Sequence, residues 1–211
     1  MFLRMTWVQM PPERLDEQIA NYPQQVQSAF GQLPGFRGMA LLANRATGAG
    51  VSASYWDSAE TMQASEEAGN AVRQQAAAQG NDLQIGEVDR FEFIIQERLD
   101  PPRAGNFLRL NDVQGSPAKI DDVANLLRES ALPVARAQPG FRAMLMAANR
   151  QTGRTLVASA WETAADREAS DASAQGLRSE AAQVAGAETV KVDLYEYLFA
   201  EVRTGAPAQV R

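Results

Sequence analysis

The chain carries the same pattern twice. Residues 34–57 read PGFRGMALLANRATGAGVSASYWD and residues 139–162 read PGFRAMLMAANRQTGRTLVASAWE, with 13 identities in 24 positions at an ungapped offset of 105. The same offset aligns FLRMTWVQ (residues 2–9) with FLRLNDVQ (residues 107–114), and Arg73 with Arg178. VDRFEF (88–93) aligns with VDLYEY (192–197) at an offset of 104, which implies one deletion before the last strand. A repeat of this length is domain-sized rather than a solenoid unit, so the 211 residues divide into two similar halves. Between them lies RLDPPRAGN, whose paired prolines and glycine continue neither a helix nor a central strand. The expected division is therefore repeat 1 over 1–97, a linker over 98–106, repeat 2 over 107–203 and a tail over 204–211. That tail is too poor in apolar residues to pack.

One repeat reads as six elements. Residues 2–9 alternate in the manner of a strand and stop at Pro11 and Pro12. Over 13–30 the apolar residues Leu15, Ile19, Tyr22, Val26 and Phe30 recur at steps of three and four, a helical stripe interrupted only by Pro23. Residues 36–45 and 51–57 form a hairpin around Thr47-Gly48, matched by Thr152-Gly153, where glycine supplies positive φ. A second helix covers 58–78, with Ser58, Glu60 and Thr61 offering capping chemistry. A β-branched and aromatic strand covers 85–96. The order β-α-β-β-α-β is that of an α+β, ferredoxin-like unit, whose uncovered sheet face a second unit can bury. Two such tandem repeats predict sheets packed face to face in one chain.

Composition narrows the chemistry. The chain has no Cys and no His, which removes disulfides, thiolate nucleophiles, Cys/His metal sites and imidazole bases. Lys plus Arg number 20 against 26 Asp plus Glu, a net charge of -6, so no global positive field exists to hold a nucleic acid. There is no membrane-length apolar run, and the opening MFLRMTWVQMPPERLDE turns acidic before a signal-peptide core can form; a soluble, cytoplasmic protein is expected. Neither a dinucleotide fingerprint nor a phosphate loop is found, and no carboxylate set has metal spacing, so no cofactor and no metal is expected.

The segment PGFRGM (34–39), the Gly-turned hairpin and YWDSAE (55–60) before an Ala-rich helix resemble the antibiotic biosynthesis monooxygenase (ABM) domain, and PGFRAM (139–144) with AWETAA (160–165) resembles it again. The resemblance implies the dimeric α+β barrel, here supplied as a pseudo-dimer within one chain, with further self-association left open. It implies a cofactor-independent monooxygenase acting on an aromatic, polyketide- or quinol-like molecule with O2. The alternative is a non-catalytic, small-ligand-binding or stress-associated barrel; a third reading is a structural pseudo-dimer that binds a protein. The chain departs from the haem-degrading branch, which uses a helix-borne His and Trp: residues 60–79 and 165–185 contain neither.

The pocket candidates come in pairs. A two-residue hairpin loop would pair position i with 95 minus i, setting Trp56 opposite Met39 on the face of Arg37 and Leu41, with Asn44 on the other. Trp56 and Trp161 could wall an aromatic pocket with their N–H free for one polar contact, or serve as core anchors. Arg37 and Arg142 could stabilise a phenolate or a peroxy anion, or form surface ion pairs. Asn44 and Asn149 could hold an oxyanion or satisfy turn backbone. Met39 and Met144 could line an adaptable pocket or fill the core. Tyr195 and Tyr197 replace Phe91 and Phe93 of the first copy, a hint that the two pockets differ, and Glu92 and Glu196 could act as bases if desolvated. No single residue is assigned a catalytic role.

Overall fold

The structure is a computed structural model that describes residues 1–78, 82–187 and 190–202; the assigned tail over 204–211 lies outside the described residues. The first half runs β1 (Phe2–Gln9), α1 (Leu15–Phe30), β2 (Phe36–Ala43), β3 (Ala49–Trp56), α2 (Ala59–Ala64), α3 (Glu66–Ala78) and β4 (Gln84–Arg98). The second runs β5 (Phe107–Gln114), α4 (Ile120–Leu126), a π-helical turn (Leu127–Ala131), α5 (Leu132–Arg136), β6 (Phe141–Ala148), β7 (Arg154–Trp161), α6 (Ala164–Ala169), α7 (Asp171–Ala185) and β8 (Val190–Val202). The strands pair antiparallel, β1-β3-β2 in the first half and β8-β5-β7-β6 with β4 in the second. No helix among the described residues is long and apolar enough to cross a membrane.

The compact units do not coincide with the sequence repeats. Among the described residues, unit 1 comprises 1–78, 82–90, Pro101–Ala104 and 197–202; unit 2 comprises Phe91–Asp100, 105–187 and 190–196. The cause is strand length. β4 and β8 have 15 and 13 residues against eight in the others. At about 3.3 Å per residue β4 spans about 50 Å, twice what one unit's sheet needs. In unit 2, β4 from Glu92 to Arg98 pairs with β6, and β8 from Val190 to Glu196 pairs with β5.

The hairpin register differs from the two-residue-loop expectation. Asn44 closes on Ala49 (N to O 2.8 Å), and Met39 lies opposite Ser54 rather than Trp56. The Asn44 side chain causes this: its Oδ1 accepts from the N–H groups of Ala46 (3.0 Å) and Thr47 (3.2 Å), stabilising a four-residue loop. Gly48 closes it at φ +73°, where a Cβ would sit 1.8 Å from the Met10 carbonyl oxygen. The shift is by two residues, so each side chain keeps its face. A bulge between Phe36 and Gly38 then sets Trp56 opposite Phe36 and turns Arg37 out of the ladder; Phe141 and Ala143 flank the same irregularity in the second copy.

The helices follow the sequence with one difference. Ser58 and Thr61 make a reciprocal capping box at the start of α2. α1 continues through Pro23, whereas the aligned stretch of repeat 2 breaks into α4, the π-helical turn and α5. Unit 1 buries Val26, Phe30, Phe36, Met39, Trp56 and Met62 as one apolar cluster. Unit 2 buries Val123, Leu127, Ala131, Phe141, Met144, Met146 and Trp161.

Candidate functional site

In unit 2, strand alternation aims one row of side chains from each of β5 and β7 at the helices. Arg109, Asn111 and Val113 on β5 stand opposite Ser159, Val157 and Thr155 on β7, and Trp161 ends the β7 row. These residues, Met144 on β6, and Val123, Leu127, Ala131 and Ala135 from the α4–α5 stretch line a cavity of about 90 Å³, closed on the far side by Ser170, Ala174 and Leu177. The π-helical turn contributes Leu127 and Ala131 directly; such insertions re-aim side chains and are common at functional sites. The space is ample for several waters or for part of a small apolar molecule.

The polar groups of this cavity are few and mostly committed. Arg109, 3% exposed, donates from Nη1 to Ser170 Oγ (3.1 Å) and from Nη2 to the Arg167 carbonyl, and stands 3.4 Å from Asp171. Burial pulls its pKa down and Asp171 opposes that pull; a guanidinium starting from so high a value stays charged. Arg178 also lines the cavity and binds Asp171 at 2.8 Å, and that bond leads the causes that hold the Asp171 carboxyl below its usual range. Trp161 donates its Nε1–H to Ser159 Oγ (3.1 Å), as Trp56 does to Ser54 Oγ (3.0 Å). The indole N–H groups are therefore spent within the strand and are not free for a ligand.

Of the residues singled out in the sequence, the structure brings Trp161 and Met144 to this cavity. Trp56 and Met39 are core residues of unit 1. Arg37 and Arg142 point outward: Arg37 pairs with Asp57 (2.5 Å), and Arg142 with Glu162 and with Asp100 (3.0 Å). The bulge that displaces Arg37 from the ladder also displaces Arg142; Arg142 does not line the cavity of unit 2, nor does Arg37 line the one beside Tyr22 in unit 1. Asn149 Oδ1 accepts from Gln151 (3.0 Å) and Thr152 (3.1 Å), the same turn-forming role as Asn44. Tyr195 is buried in unit 2, with burial the main cause of a phenol pKa pushed above its usual value, and Tyr197 belongs to unit 1; neither lines the cavity. Glu92 pairs with Arg150 at the surface (3.0 Å). The sequence reading missed Arg109 and Asn111. Their signal was present for Arg109, which recurs as Arg4 in the apolar-alternating first strand of each repeat.

Unit 1 shows the same framework with larger side chains at the aligned positions. Offset by 105, Phe30 stands for Ala135, Val26 for Ala131 and Tyr22 for Leu127. Phe30 packs edge-on to Trp56 with ring centroids 5.7 Å apart, and Tyr22 bonds the Ala40 carbonyl (3.0 Å) and Ser52 (2.9 Å). The Arg4 guanidinium lies 5.2 Å from the Phe30 ring centroid and pairs with Glu66 at 3.3 Å. Beside Thr6, Gln18 and Tyr22 lies a cavity of about 60 Å³.

A haem does not fit this donor set. Protein haem ligation uses His, Cys, Tyr or a Met paired with His, while the chain lacks His and Cys and the described cavity lining offers the Met144 thioether alone.

No family model matches the chain. The uncharacterized proteins Rv2557 and Rv2558 of Mycobacterium tuberculosis (strain H37Rv) are 24% and 26% identical to it, over 96% of this chain and 89% and 85% of their own lengths. Among solved structures, an anthrone oxidase-like protein superposes with a TM-score of 0.68 at 13% identity, covering 100% of this chain and 97% of its own. A ferredoxin-fold protein related to antibiotic biosynthesis monooxygenases, from Listeria monocytogenes, gives 0.53 at 9% over 93% and 95%. LmHde, a heme-degrading enzyme of the same organism, gives 0.56 at 9% over 93% and 99%. The fold is that of the ABM-like proteins.

Proposed function

We propose that this chain, having the ABM fold, takes a small aromatic molecule of the polyketide or quinol kind into the cavity of unit 2 and oxygenates it without a cofactor, its tandem repeats standing for the two protomers of a dimeric α+β barrel. The observation that carries the reading is the cavity itself: apolar walls, the indole of Trp161 and one buried cation, Arg109. For an anthrone-like molecule the overall change is CH2 plus O2 giving C=O plus H2O, which balances with no external reductant. The substrate's own anion supplies the electrons. The protein's part is to exclude water, hold the ring against Trp161 and lower the cost of the anion through the field of Arg109.

A second reading, binding without turnover, is favoured by one feature of the same lining. Among the described lining residues there is no Asp, Glu, Lys or Tyr to accept a proton. Oxygen uptake and tryptophan fluorescence separate the two. Uptake with anthrone or 1,4-naphthohydroquinone above the spontaneous rate, abolished in Ala135→Phe, supports the oxygenase. Saturable quenching by 1-naphthol without uptake moves the function to binding. Absence of both sinks the cavity as an aromatic site.

A further inference from the structure

The Asn111 side chain is 8% exposed and lines the cavity of unit 2. Its Nδ2 donates to the Val157 carbonyl at 3.0 Å, across the β5–β7 ladder where the two residues are direct partners. That bond fixes the amide's orientation, because a carbonyl accepts only from the NH2 end. The other end, Oδ1, is buried without a hydrogen-bond partner among the described residues. A buried acceptor left bare is costly, and in a cavity with room for waters it is satisfied by a donor, a water or a ligand group that displaces it.

The neighbouring polar groups do not relieve it. Thr155 Oγ1 donates to Gly153 O (3.3 Å), Ser170 Oγ to Arg167 O (2.7 Å) and Ser173 Oγ to Ser170 O (2.9 Å). Around these, the walls are Val123, Leu127, Val157 and Trp161. The aligned residue of unit 1 is Thr6, whose cavity is smaller. An acceptor at the base of an apolar pocket selects for a donor on an apolar body.

We infer that Asn111 is the specificity-determining residue of this cavity and selects aromatic molecules that carry a neutral O–H or N–H, which donates to Asn111 Oδ1. The inference rests on the reading of unit 2 as an aromatic-binding site and adds the functional group its ligand must bear. The lone pairs of Oδ1 oppose an anion at that point, so the docked hydroxyl is one that stays protonated. Arg109, two residues away on the same strand face and so about 7 Å along the strand, serves any second oxygen that ionises.

The test uses the whole chain and three probes of one ring system: 1-naphthol, 1-methoxynaphthalene and naphthalene, titrated by Trp fluorescence. In the wild type, 1-naphthol binds about tenfold or more tighter than 1-methoxynaphthalene, the size expected when a buried acceptor is satisfied rather than left bare. In Asn111→Leu and in Asn111→Thr, which installs the repeat 1 residue, that preference disappears while naphthalene binds as well or better. Circular dichroism and a melting curve establish that each variant folds, and the wild-type preference is read without any variant. Equal wild-type affinity for naphthol and its methyl ether overturns the inference, as does a preference that survives both substitutions. Ala135→Phe distinguishes the two levels: binding of all probes that persists there shows that the cavity is not the site, and both the reading and the inference fall. A wild-type chain that binds no probe has the same result.

Discussion

Filling the cavity of unit 2 should stabilise the protein and abolish ligand binding together. Ala135 is the residue to change, because its counterpart Phe30 packs over Trp56 in unit 1 and Trp161 lacks such a cover. At about 24 cal/mol per Å³ of cavity, the roughly 90 Å³ present in unit 2 corresponds to an upper bound of about 2 kcal/mol. Ordering the new ring and any misfit of its shape reduce that gain. For a chain of this length, 1 kcal/mol moves the melting midpoint by about 2–4 °C, so Ala135→Phe should raise it by up to about 8 °C. Calorimetric or circular-dichroism melts with and without 1-naphthol provide the assay. At a ligand concentration of about 100 Kd the wild type gains about 2.7 kcal/mol and the variant gains nothing. A ligand-induced shift equal to that of the wild type would refute the argument, whatever the variant does to stability.

Other substitutions test the remaining assignments. Arg142→Ala removes only partly exposed ion pairs with Glu162 and Asp100; it should cost no more than about 1 kcal/mol and leave naphthol titrations unchanged. Asn149→Ala deletes an acceptor for two turn N–H groups and should cost about 1 kcal/mol in a denaturant melt, again with no effect on binding. For Glu66, burial alone would raise the carboxyl pKa, but hydrogen bonds and charge from Arg90 and Arg4 outweigh it and hold the value below the usual range. Its folded pKa is therefore below its unfolded one, so its contribution is present above about pH 4.3 and is lost as pH falls through the folded value. Glu66→Gln should flatten that acid limb and cost about 3 kcal/mol at pH 7, since Arg4, 2% exposed, loses its counter-charge; an unaltered stability-against-pH curve would contradict this.

The element order and the hairpins were legible because they depend on local signals: alternation in residues 2–9, a helical stripe through Leu15, Val26 and Phe30, and glycine at 48 and 153. The register was not, because a side chain decided it. Asn44 and Asn149 hold two backbone N–H groups each and lengthen the loop by two residues, a choice that sequence spacing does not encode. The candidate site was legible only in Trp161 and Met144. Arg37 and Arg142 were conspicuous by repetition, yet a bulge sends both outward. Arg109 and Asn111 lay in a strand that reads as ordinary alternation, and their importance arises from α7 and the π-helical turn closing over them, a tertiary fact. The unit boundaries escaped for a similar reason: Phe91 and Tyr197 each mark a change of compact unit within an uninterrupted strand, which strand-length patterning does not signal.

The crowding of Phe30 over Trp56 has a consequence for how such a protein can change. In a barrel assembled from two copies of one short chain, every substitution is imposed on both pockets at once, so a bulky residue that strengthens one half destroys the vacancy in the other. A fused gene removes that constraint. One half can be packed more tightly, with Tyr22, Val26 and Phe30, while the smaller Leu127, Ala131 and Ala135 leave more room in the other. Tandem duplication frees each half to diverge in packing without imposing the same change on the other.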